Sequence, residues 1–203
     1  MFARCFECNE HAECFPGMLA DVVVPVTYAP KGSAHARNLW LYKAGGAGSQ
    51  APAGALRELL LVFLADHGPC AWSLAAMPPP TVVDVVPSGR RPGPHPLATL
   101  VAPFLSLRWA GLRATRLGGP PWRDVDPGRF AVAAPLRGAS VLLLDDTWTS
   151  GSSAQSAAVA LRAAGARHVA VVVIARHIGR TAPAGVAFDA RYCCLHGQRR
   201  RRA

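Results

Sequence analysis

Residues 141–153 read VLLLDDTWTSGSS, and no other run narrows the choice of fold as much. Four consecutive apolar residues are too few for a helix of their own and suit a strand buried on both faces of a parallel sheet. That strand ends in two adjacent carboxylates, Asp145 and Asp146. A small-residue loop and an Ala-rich helix over residues 152–164, closed by Gly165, follow. In an open parallel sheet, ligands collect beyond the C-terminal ends of the strands. Thr147, Thr149, Ser150, Gly151, Ser152 and Ser153 can aim hydroxyls and consecutive backbone N–H groups at an anion, helped by the helix dipole. The acidic pair would repel phosphate but can accept hydrogen bonds from vicinal sugar hydroxyls. Together the two halves describe a pocket for a 5-phosphorylated ribose.

The rest of the chain supplies the sheet that such a strand needs. Apolar runs at 21–28, 81–86, 112–117, 130–133, 141–144 and 168–175 read as strands, with a further one over 186–195. Residues 34–43, 55–66 and 97–109 read as helices, 71–80 as a connector, and the first twenty residues as irregular. Strands alternating with helices predict an α/β domain on a mostly parallel, twisted sheet flanked by helices. We expect one domain over 1–198, with a cysteine-rich segment over 1–20 and a basic tail over 199–203.

Composition removes several function classes. With 51% hydrophobic residues in 203, the chain can build a core, so global disorder is excluded. The apolar runs are far shorter than the ~18 residues of a membrane span. Cys5, Glu7, Cys8 and Glu10 stand where a signal peptide would be apolar, so a cytoplasmic location is expected. The net charge of +10 is carried almost wholly by arginine, for only Lys31 and Lys43 are lysine. Arginine suits phosphate recognition, and the same skew arises from genome base composition. Four of the charges sit in Arg199–Arg202, which reads as a solvated tail, and a nucleic-acid partner is not favoured.

The thirteen-residue run resembles the signature of type I phosphoribosyltransferases: four hydrophobic residues, two acids, then a Thr/Ser/Gly phosphate loop. Trp148 departs from the small or aliphatic residue commonest there. The wider pattern is similar to the competence-protein-F-like members of that superfamily. They carry an early Tyr and a helix ending in Lys, as in Tyr28 and Tyr42-Lys43. A V-P-x-x-x-R loop follows, as in Val86-Pro87-Ser88-Gly89-Arg90-Arg91, then an arginine-bearing loop ending in Phe, as in Arg123 and Phe130. Where those proteins have Arg-Gly-Phe-Asn-Gln, this chain has Arg91-Pro92-Gly93-Pro94-His95-Pro96, so acceptor chemistry is not carried over.

The resemblance implies the type I phosphoribosyltransferase fold with a flexible hood loop over 118–129. It also implies a phosphoribosyl pyrophosphate (PRPP) donor with Mg²⁺ and a glycosyl transfer to an unidentified acceptor. Asp145 and Asp146 would hold the ribose hydroxyls and the 149–153 loop the 5-phosphate. Ser88, Gly89 and Arg90 would meet the pyrophosphate, with Arg123, and Arg129 beside it, as charges of the hood. An alternative keeps the pocket without the chemistry: a PRPP- or nucleotide-sensing module, or a DNA-uptake accessory protein. Cys5-x₂-Cys8 with Cys14 has the start of a zinc-ligand spacing. Cys193 and Cys194 could complete a structural Zn²⁺ clasp between the termini, and free thiols are the alternative. A homodimer is compatible with all of this.

Overall fold

The structure is a computed structural model that describes residues 6–118 and 123–178. Its elements run α1 (Phe6–Cys14), β1 (Val22–Pro30), α2 (Ala34–Leu41), α3 (Gln50–Leu74), β2 (Val82–Val85) and α4 (Pro96–Val101). There follow β3 (Arg108–Trp109), β4 (Leu112–Ala114), β5 (Phe130–Val132), β6 (Ser140–Trp148), α5 (Ser152–Ala163) and β7 (His168–Ile178). One five-stranded sheet has the order β1-β7-β6-β2-β3, and every neighbouring pair in it is parallel. β4 and β5 form a separate antiparallel pair. This is the α/β architecture with a parallel sheet flanked by helices that the sequence predicts.

The period of two along β6 and β7 sorts their side chains onto two cores. Val141, Leu143, Val169, Val171 and Val173 pack on one face with Ala154, Ala157, Ala158 and Leu161 of α5. Leu142, Leu144, Val172 and Ile174 pack on the other with Leu56, Leu60 and Phe63 of α3. Alanines at the α5 contact let that helix lie close to the strands, which places its N-terminus at the end of β6.

Several element boundaries differ from the sequence reading, each for a tertiary reason. The first twenty residues are not wholly irregular, since α1 forms there with an Asn9 Nδ2 to Glu13 Oε1 bond of 2.6 Å across one turn. α3 begins earlier than residue 55 and runs through Pro69 to Leu74, replacing the start of the expected connector. The missing proline N–H costs that turn roughly 3 kcal/mol, and burial of Leu56, Leu60, Phe63 and Ala71 along the helix offsets it. The helix expected over 97–109 stops at Val101. Pro103 cannot continue the ladder, so a single 3₁₀ turn (Ala102–Phe104) releases the chain into β3. β6 does not end at Leu144 but pairs with β7 as far as Trp148↔Arg176. The strand expected at 186–195 lies outside the described residues.

Asp84 is a buried carboxylate on β2 that the sequence reading passes over. It accepts bonds of 2.8 Å from the backbone N–H groups of Val85 and Leu112. Burial raises its pKa, and the backbone bonds from Leu112, Val85 and Gly111 oppose that rise. It thereby ties the β4–β5 pair to the sheet. Among the described residues no helix is long and apolar enough to cross a membrane.

If β6 is the sealed centre of the fold, Leu143→Ala removes about 2–5 kcal/mol of stability in urea denaturation. Val62→Ala, on the solvent side of α3, changes it by less than about 0.5 kcal/mol.

Candidate functional site

The C-terminal end of β6 opens onto a cavity of about 460 Å³. Every sequence-predicted substrate residue lines it: Asp145, Asp146, Thr147, Thr149, Ser150, Gly151, Ser152 and Ser153 from β6 and its loop, Ser88, Gly89 and Arg90 from the turn after β2, and Arg123 from the long loop before β5. Lys43, His95, Gly118 and Arg129 line it as well. Of the cysteines in the expected zinc set, Cys8 is half-buried and Cys14 exposed. Six helical residues set these two about 9 Å apart along the α1 axis. Cys5, Cys193 and Cys194 lie outside the described residues, so their part in a Zn²⁺ site is untouched by this geometry.

At the start of α5, Gly151 is the N-cap with φ 82° and supplies no side-chain cap. Ser150 Oγ accepts from the Ser152 N–H at 3.4 Å, and the N–H groups of the first turn point toward the loop, the usual setting of an anion site. A Cβ on Gly151 would overlap the indole of Trp148. That indole is buried. It also lines a larger cavity of about 580 Å³ beside α1. Trp148 packs directly against Gly151 and so constrains the loop's shape. Ser156 Oγ donates to Ser152 O at 2.7 Å and accepts from Asp126 N at 2.9 Å, so the long loop is anchored to the same helix.

The acidic pair is buried, with Asp145 9% and Asp146 3% exposed. Asp146 Oδ2 carries three donors. Lys43 Nζ lies at 2.7 Å, His95 Nε2 at 3.3 Å, and the Tyr42 hydroxyl closes the set. Burial pushes the Asp146 pKa up, but the His95 bond and the Lys43 charge outweigh it and hold the carboxyl well below the usual range. Asp145 takes the opposite shift. Burial, reinforced by the Asp146 charge, pushes it up to about 8 against the pull of Lys43. Burial and the neighbouring Asp146 carboxylate keep the Tyr42 phenol protonated.

Across the cavity, the turn after β2 is folded on itself. Ser88 Oγ accepts from the N–H groups of Arg90 and Arg91 at 3.2 Å each, so these two donors are engaged within the turn. Gly89 O accepts from Gly118 N at 2.7 Å, which pins the long loop to the turn. Arg129 is the arginine aimed at this corner. Its Nη2 lies 3.6 Å from where a Cβ on Gly89 would be, and its Nη1 is buried without a hydrogen-bond partner among the described residues. Burial pushes its pKa down, while Asp126 and Asp145 oppose that.

Spacing could not have assigned roles to Tyr42, Lys43 and His95. The resemblance includes Tyr42-Lys43, and His95 is notable for lying just past the Ser88–Arg90 turn, but they reach Asp146 from two distant segments, the end of α2 and the start of α4. Arg129 carried only the general signal of an arginine in the hood.

No family model matches the chain, and no curated protein matches it. Among solved structures it is similar to a purine phosphoribosyltransferase from Pyrococcus horikoshii Ot3, at 12% identity. That match covers 83% of this chain and 98% of the other, with a TM-score of 0.33. At that TM-score, function has to be read from this chain's own residues.

Two outcomes test the site's construction. Gly151→Ala combines a left-handed backbone with overlap onto Trp148 and lowers stability by about 1–3 kcal/mol in urea denaturation. For the acids, a raised folded-state pKa contributes stability that is complete below the ordinary carboxylate range, near 4, and is lost as pH climbs through about 8. Asp146, held low, contributes the reverse, present above that range and lost in acid. Asp145→Asn is neutral throughout, so it flattens the decline in stability that wild type shows between about pH 5 and pH 8.

Proposed function

We propose that the protein is a PRPP-dependent phosphoribosyltransferase. One observation carries this reading: the carboxylate pair with the helix start just after it, on residues 145–153, and the arginine-bearing turn from a separate stretch line a single cavity. A phosphorylated ribose would place its 5-phosphate on the loop and its hydroxyls at the acids. Its pyrophosphate would lie toward Arg90, Arg123 and Arg129.

The reaction is a displacement at C1 of the sugar. The acceptor's lone pair forms the new bond to C1, and the bond from C1 to the pyrophosphate oxygen breaks with its electron pair leaving on pyrophosphate. The transition state is oxocarbenium-like, so the protein's work is positioning and charge stabilisation rather than covalent catalysis. Arg129, with a buried guanidinium nitrogen unpaired among the described residues, is placed to gain most as negative charge develops on the leaving group. The loop from 118 onward, anchored through Asp126 and Gly118, would exclude water from the reacting face.

Magnesium, which the resemblance implies, does not fit on the carboxylates as they stand. Mg²⁺ demands near-octahedral oxygen ligation at roughly 2.0–2.1 Å, and Asp146 Oδ2 is already surrounded by Lys43, Tyr42 and His95. No step is assigned to a metal held by this pair.

Calorimetric titration tests the reading. PRPP should bind more tightly than ribose 5-phosphate, and an acceptor screen should release pyrophosphate. Arg129→Ala should weaken PRPP by about tenfold or more while changing ribose 5-phosphate little, as expected for one charged hydrogen bond. Binding of PRPP without turnover for any acceptor would favour the sensing module. A folded protein that ignores both ligands would end the proposal.

A further inference from the structure

The donors on Asp146 differ in what they bring. Tyr42 is a neutral hydroxyl. His95 is the N-cap of α4, and its Nδ1 accepts the Leu97 N–H at 3.2 Å. Its Nε2 lies 3.3 Å from Asp146 Oδ2. Lys43 brings an ammonium to Asp146 at 2.7 Å, nearer than His95. It is also held in place from several sides. Arg91 Nη1 donates to Lys43 O at 2.8 Å, and its ammonium lies 5.7 Å from the centroid of the Tyr42 ring. Its side chain remains 33% exposed and lines the same cavity as the acidic pair.

We propose that Lys43 is the resident counter-ion of the site, an ammonium standing where a carboxylate-bound divalent cation would otherwise stand. The sugar diol then meets a carboxylate that is already neutralised and oriented, and recognition of the ribose needs no metal on the acids. Metal ligation at Asp146 Oδ2 would require displacing three donors, including the Tyr42 hydroxyl, which is buried with its ring. Among the described residues, no cluster of three or more His, Cys, Asp or Glu offers a metal another home. The claim on Lys43 and metal stands without a substrate. Its extension to ribose recognition rests on the phosphoribosyltransferase reading.

The test uses the full chain in two arms. In the first, Mn²⁺ binding to the ligand-free protein is followed by electron paramagnetic resonance. Wild type and Lys43→Arg should show no tight site. Lys43→Met and Lys43→Gln should gain one, and adding Asp146→Asn to either should remove it. In the second, ribose 5-phosphate is titrated in EDTA and again with Mg²⁺. Wild type should be indifferent to the metal. Lys43→Met should lose about tenfold in EDTA, equivalent to ~1.4 kcal/mol, and recover with Mg²⁺.

A wild-type Mn²⁺ site abolished by Asp146→Asn would overturn the proposal, and so would neutral variants that gain no Mn²⁺. Should the neutral variants fail to fold, the wild-type and Asp146→Asn comparison still decides it. Gain of Mn²⁺ in a protein whose wild type ignores ribose 5-phosphate would keep the counter-ion and discard the transferase.

Discussion

A carboxylate kept ionised under almost complete burial is the constraint around which this molecule is arranged. Removing Asp146 from water costs several kcal/mol unless charge and hydrogen bonds are returned to it. Three segments converge to return them: the end of α2 with Tyr42 and Lys43, the start of α4 with His95, and β6 itself. The sheet order follows from the same need. β6 sits between β7 and β2, so its C-terminal end is roofed from both sides and the acids can be central.

Burial also divides labour within the acidic pair. The charge on Asp146 is balanced by Lys43, and that same charge raises the cost of ionising Asp145 next to it. Two identical side chains, adjacent in sequence, become an acceptor and a group that resists ionisation. Neither is a free base, which agrees with a reaction whose demands are positional. The arginine corner complements this, because Arg90 and Arg129 bring positive charge to the cavity that the acids line.

What could be read from the chain alone follows from the range of the interactions involved. The strand–acid–loop–helix unit at 141–153 is local, so its shape was legible, and all its expected residues meet in one cavity with those of the turn after β2. The core faces of β6 and β7 were legible for the same reason. Pro69 and Pro103 show the limit. One proline is tolerated inside α3 because the helix buries Leu56, Leu60, Phe63 and Ala71, while the other ends a helical stretch because β3 competes for the following residues. Lys43 and His95 were illegible as partners of Asp146, since only the completed sheet brings those segments together.

The single hydrogen bond from Gly118 to Gly89 has a mechanical meaning. It makes the turn after β2 and the base of the long loop one body, hinged on the Asp126–Ser156 contact with α5. The wall that would grip a leaving anion and the cover that would keep water out therefore cannot part company without breaking that link.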